Sequence, residues 1–293
     1  MRSVKELKTL EDFLNFAKIK FEKEGLFFGH GTDNAWDEAV ALVLFCMDLP
    51  HRVSAEVRQQ NVTEPQKKRI LALIEKRIET RKPLAYLTKE AYFSSLSFYV
   101  DERVLIPRSP IAELIENQFS PWIKPEKVKN ILDLGTGSGC IGIACAYAFP
   151  EAHIDMVDIN SDCLLVAKKN IQKHQKEKQV QLIQSNLFET IPIKAYDIIV
   201  SNPPYVDQKD MEALPQEYLH EPKAALYGGE DGLDIVEIIL AQAKSFLNPH
   251  GILVIEVGNS EDAIEKKFPR LPLIWLEFER GGGGVFLLNA TDL

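Results

Sequence analysis

A glycine-rich turn between an apolar strand and a helix constrains the fold of this chain more than any other feature. A strand is predicted over residues 130–134 and a helix from about Cys140 to Ala148. The turn between them reads Gly135-Thr136-Gly137-Ser138-Gly139. Because glycines lack a side chain, they let the backbone turn sharply and let a ligand approach the N–H groups at the helix start. The segment therefore predicts an α/β fold with a ligand site at the end of this strand.

Strands and helices alternate from residue 130 onward, as expected for a mainly parallel sheet with helices on both faces. The predicted strands are 130–134, 153–157, 179–184, 196–200, 251–256, 273–278 and 284–289. The predicted helices lie near 139–148, 161–175, 231–247 and 260–267. Only residues 279–283 separate the last two strands, too few for a crossover helix, so the last strand is predicted to run antiparallel. The expected fold class is a Rossmann-like, seven-stranded α/β sheet.

The residues before this sheet predict a small helical bundle and a connecting hairpin. Apolar residues recur at helical spacing over 5–23, from 32 or 33 to 47, and over about 64–80. Apolar and polar residues alternate between Tyr92 and Leu105, which predicts a β-hairpin. The sequence thus predicts a helical domain, 1–90, a hairpin linker, 91–110, and a sheet domain, 111–293.

Charge is distributed unevenly along the 293 residues. Residues 1–90 hold 16 Lys and Arg against 14 Asp and Glu, whereas residues 91–293 hold 18 against 29. An acidic surface repels phosphates, and affinity for a long nucleic-acid track comes largely from Lys and Arg. The charge pattern therefore argues against DNA as a partner and suits a basic protein.

Apolar runs and cysteine spacing limit the cellular setting. The sequence contains no stretch of eighteen apolar residues, and its first six residues lack the apolar core of a signal peptide. We therefore expect a cytoplasmic protein with no membrane partner. The four cysteines lack paired metal-ligand spacing, so we expect reduced core residues and no metal. They are Cys46, Cys140, Cys145 and Cys163.

An acidic residue follows the second predicted strand of the sheet. Asp158 comes directly after strand 153–157, nineteen residues beyond Gly139. In folds that bind nucleotides next to a glycine-rich turn, an acidic side chain at this place binds ribose hydroxyls. The spacing therefore predicts a nucleoside ligand.

A short motif, Asn202-Pro203-Pro204-Tyr205, follows the fourth predicted strand. Asn202 has a side-chain carbonyl and the prolines have no backbone N–H, so the segment offers mostly hydrogen-bond acceptors. Two carbonyls that each accept one hydrogen of an NH₂ group would aim its lone pair at an electrophile. Tyr205 adds a flat ring for stacking. The motif favours methyl transfer onto a planar nitrogen, although the same residues also occur in ordinary turns after strands.

Together these motifs resemble the S-adenosylmethionine-dependent methyltransferases of the HemK type, also called PrmC-type, which methylate glutamine side-chain nitrogens in proteins. The likeness spans nearly the whole chain. Residues 28–39 and 99–111 are similar to the PrmB branch, which modifies large-subunit ribosomal protein L-three. The release-factor branch has Pro-Glu-Thr-Glu after the arginine, whereas here Arg108 is followed by Ser109-Pro110-Ile111.

The resemblance implies a role for each motif. The cofactor would be S-adenosylmethionine, with its methionine portion on the glycine turn and its ribose on Asp158. Asn186 and Leu187 would lie near adenine. The family tends to have Asp where Asn186 stands, but an Asn carbonyl can still accept from the adenine amino group. Asn202 would border the cofactor and, with the Pro203 carbonyl, accept the glutamine NH₂ hydrogens, while Tyr205 packs on the amide plane.

Other assignments stay open at this point. A release factor would be the substrate of the other branch, and only the branch motifs separate the two. Adenine methyltransferases of nucleic acids also use an Asn-Pro-Pro-Tyr-type segment, but the acidic half of this chain argues against them. A non-catalytic protein on the same fold would not bind the methyl donor. The resemblance further implies that residues 1–90 recognise the protein substrate.

Overall fold

The computed structural model describes residues 4–50 and 52–293. The first six residues are predicted to lack the apolar core of a signal peptide. Residues 1–3 of that segment lie outside the described residues. The chain forms two compact units. The helical unit contains residues 1–90 and 215–220, and the sheet unit contains residues 91–214 and 221–293. The functional division predicted from the sequence stays a prediction.

The described residues of the helical unit form three long α-helices and two short ones. They are α1 (Leu10–Lys23), α2 (Ala35–Cys46), α3 (Ala55–Arg58), α4 (Glu64–Thr80) and α5 (Leu84–Thr88). The long helices are those that the apolar spacing predicted. However, α1 begins later than expected, because Thr9 and Asp12 form a capping box at its start. Apolar side chains of α1, α2 and α4 form the core of this unit.

A buried ionic cluster ties a distant segment into the helical unit. Arg77 of α4 donates to Glu38 at 2.6 Å and lies 3.7 Å from Glu217. Glu217 also accepts from the backbone N–H of Phe27 at 3.0 Å, and His220 lies 2.8 Å from the Thr80 carbonyl. Since a buried charge is stable only when paired, these contacts hold the turn Gln216–His220 in this unit.

A two-stranded hairpin precedes the main sheet. It consists of β1 (Glu90–Phe93) and β2 (Leu96–Tyr99). Both turn residues, Ser94 and Ser95, have positive φ values of 48° and 62°, the conformation of tight hairpin turns. The hairpin was predicted, but it begins and ends earlier than the alternation between 92 and 105 indicated.

The sheet unit contains seven further strands with helices between them. In chain order they are α6 (Ile111–Glu116), β3 (Asn130–Leu134), α7 (Cys140–Ala148), β4 (His153–Asp158), α8 (Ser161–Lys173), β5 (Val180–Gln184), β6 (Tyr196–Ser201), α9 (Gln208–Ala213), α10 (Asp234–Gln242), β7 (Leu247–Glu256), α11 (Glu261–Lys267), β8 (Ile274–Trp275) and β9 (Val285–Asn289). The strand order is β5-β4-β3-β6-β7-β9-β8.

The predicted fold class is confirmed. Strands β3 to β7 pair in parallel, and β9 runs antiparallel between β7 and β8. Alternate strand residues enter two hydrophobic clusters: Ile198 and Val200 belong to one, and Ile199 to the other. This alternation shows that helices cover both faces of the sheet. The carboxyl ends of β3, β4 and β6 therefore meet at one edge, where the sequence motifs lie.

Burial of the thiols agrees with their assignment to the core. All four cysteines are buried and unpaired. Burial raises the pKa of the Cys140 and Cys163 thiols to about 12, so both stay protonated at neutral pH.

Among residues 4–50 and 52–293, no helix is both long and apolar enough to cross a membrane.

Candidate active site

A cavity of about 240 Å³ opens at the carboxyl ends of β3, β4 and β6 in the sheet unit. It brings together most of the residues predicted for the site: Gly135, Thr136, Gly137, Ser138, Asp158, Asn186, Leu187, Asn202, Pro203 and Pro204. Gly139 and Tyr205 are not among the lining residues. The motifs that are far apart in sequence thus border one space.

The glycines of the turn have different surroundings: two face open space and one is closely packed. Gly135 and Gly137 have φ values of 71° and 54°, and a Cβ on either would meet no atom within 4 Å. Their missing side chains therefore leave open space at the cavity wall. Gly139 instead allows close packing, because a Cβ there would lie 2.6 Å from the Met156 side chain. Its contribution is to seat α7 against β4.

Asp133 supports the turn from within the core. Its Oδ2 accepts from the Thr136 hydroxyl at 2.5 Å and from the Gly142 N–H at 2.9 Å. The side chain is fully buried, and burial raises the pKa of Asp133 to about 7. A group that is this easily protonated can hold the turn without carrying a charge.

We expect stability to depend on pH through Asp133. Its folded pKa of about 7 lies above the unfolded value of about 3.9, so the folded protein binds the extra proton. The free energy of unfolding should therefore fall as pH rises between these values. In Asp133→Asn, whose carbonyl can still accept both hydrogen bonds, this part of the fall should vanish. Parallel wild-type and variant curves in urea titrations between pH 4 and 8 would contradict this.

Asp158 presents acceptors to the cavity. Its Oδ2 accepts from the Gly137 N–H and its Oδ1 from the Asn160 N–H, both at 2.9 Å. These backbone bonds lower the pKa of Asp158, but burial raises it by more. Each carboxylate oxygen can accept a further hydrogen bond. The fixed pair of oxygens therefore fits a vicinal diol such as that of ribose.

Asn186 and Leu187 form another part of the lining, after β5. The Asn186 Nδ2 donates to Glu189 at 2.7 Å. This bond uses one of the two N–H groups of the amide and leaves its carbonyl oxygen able to accept a hydrogen bond. Leu187 has a φ of 50°, which is uncommon for a residue with a side chain. The two residues can supply one acceptor and one apolar contact.

The acceptor motif follows β6 and is packed against glycine backbone. A Cβ on Gly228 would lie 2.5 Å from the Pro204 carbonyl, and one on Gly232 would collide with the Tyr205 carbonyl. No backbone N–H in the described part of the chain donates to the Pro203 carbonyl outside helices and strands. The motif is therefore held rigidly while Asn202 and Pro203 border the cavity.

Tyr205 is held by its hydroxyl and by one edge of its ring. The hydroxyl donates to Glu256 at 3.0 Å. A Cβ on Gly258 would overlap the ring, so only glycine allows this packing. The packing of Tyr205 on a substrate amide stays a prediction.

Sequence reasoning missed three polar side chains that support the site. Glu256 ends β7 and accepts from Tyr205 and Ser109; an acidic residue at the end of an apolar strand was a usable signal. Asn170 donates to the Ser138 carbonyl at 2.8 Å and binds the backbone of Tyr99. Glu221 pairs with Arg108 through both oxygens, at 2.7 and 2.8 Å. The sequence carries no signal for these last two contacts, because their partners lie in distant segments.

Comparison with known proteins bears on the family and the fold. Residues 117–232 match the family model described as Methyltransferase small domain. The solved structure of the hMettl16 catalytic domain in complex with the MAT2A 3′UTR hairpin 6 has a TM-score of 0.51. At 16% identity, over 80% of this chain and 85% of that one, it shows the likeness of fold alone.

Curated relatives match over almost the full length. The ribosomal protein uL3 glutamine methyltransferase of Francisella tularensis subsp. tularensis is 44% identical, over 99% of this chain and 93% of its own. The protein of the same name from Neisseria gonorrhoeae is 48% identical, over 100% of this chain and 98% of its own. These likenesses confirm the resemblance inferred from the motifs. The chain belongs to the family of ribosomal protein uL3 glutamine methyltransferases.

Proposed function

We propose that this protein transfers a methyl group from S-adenosylmethionine to the side-chain amide nitrogen (N5) of a glutamine in ribosomal protein uL3, in the cytoplasm. One observation carries the proposal most strongly: Asn202 and Pro203 border the same cavity as the glycine turn and Asp158. The names of the full-length relatives support uL3 as the substrate. The acidic balance of residues 91–293 suits a basic ribosomal protein.

The residues of the cavity fit the proposed donor. The open space beside Gly135 and Gly137 would take its methionine portion. The oxygens of Asp158 would accept from the ribose hydroxyls, and Asn186 and Leu187 would contact adenine. When bound, the donor supplies an electrophilic methyl group on a sulfonium.

The protein's task at the acceptor is orientation. A glutamine amide nitrogen is a weak nucleophile because its lone pair is delocalised into the carbonyl. The Asn202 side-chain oxygen and the Pro203 carbonyl would each accept one amide hydrogen, which aims the lone pair and stabilises the developing positive charge. The nitrogen becomes acidic once it is cationic, so its proton can leave after transfer without a dedicated base.

The helical unit is proposed to recognise the protein substrate. Residues 215–220, which follow the acceptor motif in the chain, fold with residues 1–90. The Arg77, Glu38 and Glu217 cluster holds them there. A substrate that binds this unit would therefore have residues 215–220 as well as residues 1–90 to contact.

Methyl transfer to separate substrates tests the proposal. The enzyme and methyl-labelled donor are incubated in parallel with uL3, a release factor and DNA, and the label is located by mass spectrometry. We expect label on one glutamine of uL3, and none on a uL3 variant with that glutamine changed to Asn. Label in the release factor alone would show that the substrate is a release factor and not uL3. Label in DNA alone would refute methyl transfer to glutamine.

A further inference from the structure

Glu256 is a buried carboxylate beside the acceptor motif, yet it does not line the cavity. It is 5% exposed and lies at the end of β7. Its Oε1 accepts from the Tyr205 hydroxyl at 3.0 Å, and its Oε2 accepts from the Ser109 hydroxyl. A buried carboxyl group with so many partners needs an explanation, because burying a carboxylate in its ionised form is costly.

The strand register places Glu256 next to Asn202. Ser201 of β6 pairs with Ile255 of β7, so the next residue of each strand lies side by side. Asn202 continues the alternation of Ile198 and Val200, which lie in the same hydrophobic cluster as Ile252 and Val254 of β7. Glu256 continues the alternation of the latter pair. Both side chains therefore emerge on the same face of the sheet.

We propose that Glu256 is a positioning residue that fixes the orientation of the Asn202 amide, an inference that rests on the function proposed above. An ionised carboxylate can only accept hydrogen bonds. The Asn202 amide must therefore turn its NH₂ toward Glu256, which leaves its carbonyl oxygen for the substrate. In the flipped orientation two NH₂ groups would face each other at the reacting nitrogen.

The neighbours of Glu256 favour its ionised form despite burial. Ser109 and Tyr205 donate hydroxyl hydrogens, the Asn202 amide contributes a hydrogen bond, and Arg108 adds a nearby positive charge. All four act to lower the pKa of Glu256, against the larger effect of burial, which raises it. The groups that contact Glu256 donate hydrogen bonds or carry a positive charge, as an ionised carboxylate requires.

Ser109 gives the branch motif a structural role. It stands directly after Arg108 and carries a hydroxyl group that can both donate and accept. The Ser109 oxygen also accepts from the Ile111 N–H at 3.2 Å at the start of α6. The side chain is thus fixed and holds Glu256 through the carboxylate oxygen that Tyr205 leaves free.

The substitution Glu256→Gln tests the inference. Glutamine has nearly the same shape but offers one acceptor and one NH₂ donor. The Asn202 amide can then flip, so we expect kcat to fall about 100-fold, the scale of one lost oxyanion-type contact. The Kd for the methyl donor by calorimetry should change by less than about twofold. Glu261→Gln, an exposed change of the same kind on α11, should leave kcat unchanged.

A double variant separates orientation from general structural support. In Asn202→Asp alone, two carboxylates face each other, and one must hold a proton. In Asn202→Asp with Glu256→Gln, the glutamine NH₂ can donate to the carboxylate introduced at position 202, which again presents an oxygen to the substrate. We expect the double variant to exceed both single variants in kcat. A merely structural role predicts that the two losses add.

Each outcome of this set decides the question. Wild-type turnover of Glu256→Gln, or a double variant no better than either single one, overturns the orientation role while glutamine transfer by the wild type stands. If Glu256→Gln does not bind the donor because it is unfolded, Ser109→Ala decides instead: an unchanged kcat overturns the inference, and a fall of about tenfold at unchanged donor Kd supports it. A wild type that transfers no methyl group to glutamine refutes the proposed function and the inference together.

Discussion

Asn202→Ala is expected to lower kcat at least about 100-fold, or about 3 kcal/mol in the barrier. The variant loses the side-chain oxygen of Asn202, a residue that borders the cavity next to Pro203. The substrate amide then keeps only one of its two acceptors, and its lone pair is no longer aimed. Single-turnover kinetics with saturating donor measures the chemical step directly.

A matched control distinguishes this effect from a general loss of an amide. Asn259 is exposed and follows the carboxyl end of β7, where it approaches Asp210 at 3.5 Å. Asn259→Ala should keep wild-type kcat. Near-wild-type turnover of Asn202→Ala would refute the acceptor assignment.

Asp158→Ala is expected to weaken binding of the methyl donor about 30- to 100-fold, or about 2–3 kcal/mol. The change removes the proposed partner of the ribose hydroxyls. It also leaves the Gly137 and Asn160 N–H groups without their acceptor, which loosens the glycine turn. Isothermal titration with S-adenosylmethionine gives the Kd.

The charge change of this variant needs its own control. Asp162→Ala, on the exposed first turn of α8, removes the same charge four residues away, and Asp162 itself does not line the cavity. Its backbone N–H, which donates to the lining residue Asn160, is kept in the variant. We expect its donor Kd to stay within about twofold of wild type. Equal losses in both variants would point to the overall field instead of the ribose contact, and no loss in Asp158→Ala would contradict the assignment of this residue.

Local signals predicted most of the fold. Helix α4 matches the prediction because Thr63 and Gln66 form a capping box and apolar residues follow at helical spacing. The antiparallel last strand followed from a connection too short for a helix. By contrast, β8 shrinks to Ile274–Trp275, since only two of its residues pair with β9. Edge pairing of this kind depends on a partner strand and is not encoded in a local pattern.

Long-range contacts account for what the sequence did not reveal at the site. The glycine turn, Asp158 and Asn202 were predictable because each follows a strand, and strand ends meet at one edge. The hydrogen bonds from Tyr205 and Ser109 to Glu256 join three segments that are far apart in sequence. Likewise, the pairing of Glu217 with Arg77 depends on the folded helical unit. The spacing of residues in the sequence does not indicate such contacts.

The proposed methyl transfer depends on two oxygens, the Asn202 Oδ1 and the Pro203 carbonyl oxygen, that hold the uncharged NH₂ group of the substrate glutamine. A crystal structure of the protein with S-adenosylhomocysteine and a glutamine peptide of uL3 measures this directly. We expect the glutamine nitrogen within about 3.2 Å of both the Asn202 Oδ1 and the Pro203 carbonyl oxygen. A glutamine nitrogen bound in the cavity but out of reach of both oxygens would contradict the account.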